Sequence, residues 1–256
     1  MFPEKLSERE KYIEDQVIAG NFDAKWVDLT YNHSGHEVRL RVMEDALKVE
    51  GIRVSVSARL AQRLADLFQA TLPTAMVADL MYVHAARRAN PCPQPISSTV
   101  AAMKKHSDSV EKQIGSSGGL AAPTGKHWIL DKKIESARTG TACNYGWHFT
   151  GSSFQGIKGF AAASPSAGAN VKVIQPNATA HDMMHSDYSQ TCQLVSQQCW
   201  VDGVEKKFSD ILKDASLAGL ISHQGPLKID RQPGVDPVVG QVVLFPVVIS
   251  SDDSIA

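Results

Sequence analysis

The densest run of reactive side chains lies between residues 175 and 192, where Gln175, His181, His185, Asp187, Tyr188, Ser189 and Cys192 fall close together. An imidazole takes and returns a proton near neutral pH. A carboxylate can orient it, and a hydroxyl beside such a pair can act as a nucleophile. His181 follows Pro176 by five residues and precedes Asp187 by six, a separation that one turn can close. If Tyr188–Val195 is a strand, Asp187 and Ser189 share a face, about 6–7 Å apart, with room for an imidazole between them. His181 and His185, with Asp182 after the first, also have the i, i+4 spacing of a helical zinc site. The segment before Tyr188 allows only a short helix, however, and zinc peptidases carry the longer Glu there. His148, His181 and Asp187 are a second zinc-competent set. No G-x-S-x-G elbow surrounds Ser189, and Tyr188 and Leu194 would equally suit a plain core strand.

A second cluster is Asn144-Tyr145-Gly146-Trp147-His148, a strand end that places an imidazole beside two large aromatics, as a pocket wall or a core strand would. The glycine loop ending in Gly125-Lys126 lacks the count and the Ser/Thr of a P-loop and reads as a mobile surface loop. The two polar-aromatic clusters are expected to meet in space, since neighbouring strands are usual in such sheets.

The elements that would position these groups follow from periodicity and punctuation. Helices are expected at Ser7–Val17, from the Ser57 cap to Gln69, from the Thr74 cap to about Arg88, at Ser97–Gln113 and at Phe208–Ile221. Strands are expected at Lys25–Tyr31, Glu37–Met43, Ile52–Val56, Trp128–Ile134, Ala142–Phe149, Val171–Ile174, Tyr188–Val195 and Val242–Ile249, with Phe160–Asn170 as loop. That order predicts an α+β protein: a single domain with a mixed or antiparallel sheet and helices packed on it. Residues 1–95 form a helix-rich N-terminal subregion, and 96–256 carry the site.

Composition narrows the class. The chain has 256 residues, 43% of them hydrophobic, enough for a core without staples. With 26 basic against 27 acidic side chains, there is no electrostatic footprint for nucleic acid or anionic lipid. No apolar run reaches the roughly 20 residues of a membrane span. The charged N-terminus shows no secretory h-region, which fits a cytosolic protein or an exported one in mature form, with a slight lean to export. Of the four cysteines, Cys92, Cys143, Cys192 and Cys199, none forms a C-x-x-C pair. Cys192 and Cys199 are expected not to be nucleophiles: they would face each other across a tight hairpin as a disulfide if exported, or stay buried thiols.

Tyr145-Gly146-Trp147-His148, then Ile174-Gln175-Pro176, His181, Asp187-Tyr188-Ser189 and Leu194-Val195 resemble a family of uncharacterised bacterial proteins. Its members carry Y-G-W-H, I-Q-P, a histidine and D-Y-S-H-G-x-R-L-V at this spacing, and a glycine-led lysine matching Gly125-Lys126. The likeness covers about Val54 to Leu227 and departs at Gln190-Thr191 and Gln193, where the family has His-Gly and Arg. It implies a site but no reaction. Ser189-Gln190-Thr191-Cys192 is more faintly similar to the S-H-G-C of L,D-transpeptidases.

Together these residues point to a hydrolase of amide, ester or peptidoglycan-like bonds, acting on a small-molecule or polymer substrate without metal or cofactor. One imidazole (His181 or His148) would be the base, Asp187 its partner, Ser189 the nucleophile and Lys126 the oxyanion stabiliser. Tyr145, Trp147, Gln175 and Tyr188 would line the substrate site. The alternatives are a non-catalytic small-ligand or glycan binding module, or a zinc-dependent hydrolase. Composition and motifs leave the oligomeric state open.

Overall fold

The structure is a computed structural model that describes residues 1–151 and 160–243. It is α+β: helices and antiparallel sheets share a main core, in which buried apolar residues run from Phe2 to Leu227, with a smaller cluster around Ile129, Tyr145 and Val173. A first helix, α1 (Leu6–Ile18), precedes the hairpin β1 (Trp26–His33) and β2 (His36–Met43). The small pair β3 (Lys48–Val49) and β4 (Ile52–Arg53) follows, then α2 (Ala58–Leu67), β5 (Ala70–Thr71), α3 (Ala75–His84) and α4 (Val100–Ile114). Ser57, Thr74 and Thr99 cap the last three helices, each hydroxyl oxygen accepting a first-turn N–H.

The second half holds β6 (Lys126–Ile129), a single helical turn α5 (Lys132–Glu135), β7 (Thr141–Thr150), β8 (Ala161–Ala162), β9 (Val171–Asp182), β10 (Val195–Val201), β11 (Val204–Lys207) and α6 (Phe208–Lys213). One sheet runs β1-β2-β10-β11, with β5 on β10; the other runs β6-β7-β9-β8. Every ladder in both is antiparallel.

Several elements differ from the sequence expectations. The strand expected over Trp128–Ile134 stops at Ile129, because Asp131 caps α5 by accepting from the Lys133 N–H. The strand expected to end at Ile174 continues to Asp182. Its Pro176, which has no N–H to give the ladder, falls where the register with β7 shifts, so a bulge absorbs it. The Tyr188–Val195 strand does not form; the strand begins at Val195 and pairs with β11 across Asp202–Gly203, both at positive φ. The helix expected over Phe208–Ile221 is broken into α6 and a 3₁₀ turn at Ala218–Leu220. Of the expected strand Val242–Ile249, residues 244–249 lie outside the described residues. Cys192 precedes β10, while Cys199 pairs across to Lys206 and Leu40, so the two do not face each other; both are buried thiols.

Candidate functional site

The segment 187–194 is a buried connector between the two sheets. Its carbonyls accept from Lys126 N at Ser189 (2.7 Å), Val56 N at Gln190 (3.0 Å), Leu47 N at Cys192 (2.7 Å) and Met43 N at Leu194 (2.9 Å). A stretch held from both sides needs no ladder of its own, which satisfies its buried backbone groups without a strand. Asp187 and Ser189 are therefore related by a local turn. The Asp187 Oδ1 accepts from both the backbone N–H (2.8 Å) and the hydroxyl (2.7 Å) of Ser189. No gap for an imidazole is left between them.

On its other oxygen Asp187 accepts from Lys126 Nζ at 2.7 Å. Burial raises the Asp187 pKa, but the Lys126 charge and the hydrogen bonds from Lys126 and Ser189 outweigh it, and the carboxyl sits below its usual range. The pairing depends on Gly125: a Cβ there would lie 2.2 Å from the Ser189 carbonyl oxygen, so the close approach admits no side chain.

His181 stands at the end of β9 opposite Ala142, with its ring edge-on to Trp128 (6.1 Å) and stacked on His185 at 4.3 Å with 6° between planes. Burial lowers the His181 pKa, helped by His185 and Lys126 and opposed by Asp187. Burial and Lys126 lower that of His185 against the carboxylates Asp187 and Asp182. Both rings are neutral at neutral pH and only half-buried. Trp128 pairs with Asn144 across the sheet, so Lys126, Trp128 and Asn144 share the face on which His181 lies. The Asn144 amide is fully buried, and neither its oxygen nor its nitrogen has a hydrogen-bond partner; His185 Nε2 also lacks one.

His148 does not join this group. Gly146 and Trp147 have φ of +115° and +61°, a left-handed step inside β7 that breaks the alternation of faces. Trp147 therefore packs edge-on against His106 (5.5 Å) and Tyr188 (6.2 Å). Tyr145 and His148, which a regular strand would direct to opposite faces, both reach Asp79 on α3. The Tyr145 hydroxyl donates at 2.8 Å and the His148 Nε2 lies 2.6 Å away, all at the same carboxylate oxygen. The expected single site is thus two separate polar groups, one on each face of β7.

The aromatics assigned to substrate binding are interior residues. Tyr145, Trp147 and Tyr188 are each at most 4% exposed. The Tyr188 hydroxyl donates to the Gln94 carbonyl and accepts its N–H, tying down the proline-rich stretch. The Gln175 side chain donates to the neighbouring Pro176 carbonyl. The zinc set His148, His181 and Asp187 is not assembled, and among the described residues no three His, Cys, Asp or Glu side chains converge as metal ligands.

Two participants escaped the sequence reading. His106, fully buried on α4, donates from Nε2 to the Thr124 carbonyl (3.0 Å) and faces the Cys92 thiol through Nδ1 (3.3 Å); burial takes its pKa down to about 4. Asp79 collects Tyr145, His148, Ser164 and Ser166 while wholly buried. Its signal was present: it is the one charged side chain in the otherwise apolar run Ala75–Val83, and a buried carboxylate must be paired. No family model, curated protein or solved structure matches the chain.

Proposed function

We propose that the protein is a hydrolase of amide or ester bonds whose base is an imidazole of the His181–His185 pair and whose nucleophile is water. The observation that carries this reading is the pair itself: two half-exposed rings, held neutral, beside a half-buried cation. A neutral imidazole at neutral pH is a competent general base. The Lys126 ammonium has three donors and spends one on Asp187, leaving two for the developing oxyanion. Asp187 serves to hold Lys126 rather than to orient a histidine. Ser189 is not used as the nucleophile, because its hydroxyl donates to Asp187 and, among the described residues, no imidazole is hydrogen-bonded to it. The unpartnered Asn144 amide and His185 Nε2 add hydrogen-bonding capacity on the same side.

The test is turnover of a panel of fluorogenic esters and amides, followed by His181→Ala. The expected loss is about 10²–10⁴-fold in turnover with an unchanged melting temperature, since the ring is half-exposed. A variant that keeps full turnover per folded molecule refutes the assignment. A non-catalytic binding role has one observation on its side, the saturation of Asp187 by Lys126 and Ser189. It becomes the reading if the wild-type protein turns over none of the panel.

A further inference from the structure

The second polar group lies at a cavity of about 110 Å³ that the proposed hydrolase site does not use. Ser166 Oγ is 2.9 Å from His223 Nε2 and 3.2 Å from Ser164 Oγ, and its hydroxyl donates to an Asp79 carboxylate oxygen at 3.1 Å. His223 and Ser164 line the cavity, and Ser166 stands behind them, within hydrogen-bond distance of both. Ala75 and Met76, the first two residues of α3, line it as well. The N–H groups of a helix's first turn have no intrahelical partner. At α3 the Thr74 side chain takes only that of Val77. Burial holds the exposed-edge His223 imidazole below its usual pKa, with Asp79 opposing, so it is unprotonated at neutral pH.

We propose that Ser166 and His223 form a nucleophile–base pair opening on this cavity, with the Ala75 and Met76 amides placed to receive an oxyanion, and that the site takes small acyl esters. The diagnostic geometry is a hydroxyl within hydrogen-bond reach of an imidazole. Asp79 differs from the usual third member in bonding the serines and His148 rather than the base. The step balances: the Ser166 hydroxyl turns from Asp79 to His223, and its Oγ–H bond breaks with the proton passing to His223 Nε2. The Oγ–acyl carbon bond then forms, and the alcohol leaves with that proton. Water later cleaves the acyl-serine by the reverse route.

The probe is a small alkyl fluorophosphonate, on which the same attack forms an Oγ–phosphorus bond and expels fluoride. The full chain is incubated with it, adduct formation is followed by intact mass, and the site is read by peptide mapping. One adduct on Ser166 is expected, absent in Ser166→Ala and formed at least about 100-fold more slowly in His223→Gln. His223 is exposed, so that variant folds even if the serine variant does not. No adduct, an adduct on a different serine, or a Ser166 adduct whose rate ignores His223→Gln overturns the proposal.

Discussion

Replacing Gly125 by alanine tests the packing on which the Lys126–Asp187 pair depends. The new Cβ would meet the Ser189 carbonyl oxygen at 2.2 Å and the Thr191 hydroxyl at 3.0 Å. Neither can swing away freely: the carbonyl is backbone and accepts the Lys126 N–H at 2.7 Å. The chain must separate here by about 1 Å or more. Overpacking of this kind costs about 1–3 kcal/mol, and weakening a buried backbone hydrogen bond adds about 1 kcal/mol. A total near 3 kcal/mol lowers the melting temperature by about 6–10 °C in a chain of this size. The same displacement moves Lys126 relative to His181, and misplacement on that scale costs about 10–100-fold in turnover. Thermal unfolding by circular dichroism and turnover of the best ester substrate are the two measurements. Gly219 is the control, since nothing lies within 4 Å of its Cβ position and its φ is not positive. Gly219→Ala should leave both quantities unchanged. A Gly125→Ala protein that melts within 1 °C of the parent would show that the contact is not what positions Lys126.

Lys126→Met leaves Asp187 buried without its cation, at a cost of about 3 kcal/mol at pH 7. Because the folded Asp187 is held below its usual range, its contribution is present above the unfolded pKa and lost as pH falls through the folded value. The stability gap between the two proteins in urea should therefore shrink from pH 7 to pH 3, and a gap that widens on acidification refutes the pairing. Burial pushes the thiols of Cys143, Cys192 and Cys199 up to about 12. An alkylating reagent at pH 7.5 should leave these three intact in the native protein while the urea-unfolded chain reacts fully. Rapid native modification of Cys192 would instead favour a transpeptidase-like nucleophile.

Two glutamines have identifiable work in the connector. The Gln190 Oε1 accepts the Asp187 N–H at 2.5 Å, and the Gln193 amide donates to the carbonyls of Met43 and Ala121. They bind backbone groups of the segment and its neighbours.

What the sequence determined by itself is whatever short-range physics controls. Ser57 and Thr74 cap the helices expected of them, and β1 and β2 pair as alternation and the Ser34–Gly35 turn require. The α+β class followed from the order of those elements. The Gly125-Lys126 and Asp187-Ser189 segments were legible as chemistry, and they do meet. The partner of His148 was decided by tertiary structure, because a left-handed step at Gly146–Trp147 exchanges the faces of β7, and period-two reasoning assumes that no such step occurs. The strand holding His181 was likewise decided there, since a bulge accommodates Pro176 only when β7 is already alongside. The turn joining Asp187 to Ser189 could persist without a ladder because two sheets, distant in sequence, supply its backbone partners from either side. Pairings of that range cannot be read from spacing, because what selects them is the burial of polar groups that acquire neighbours only when the chain has folded.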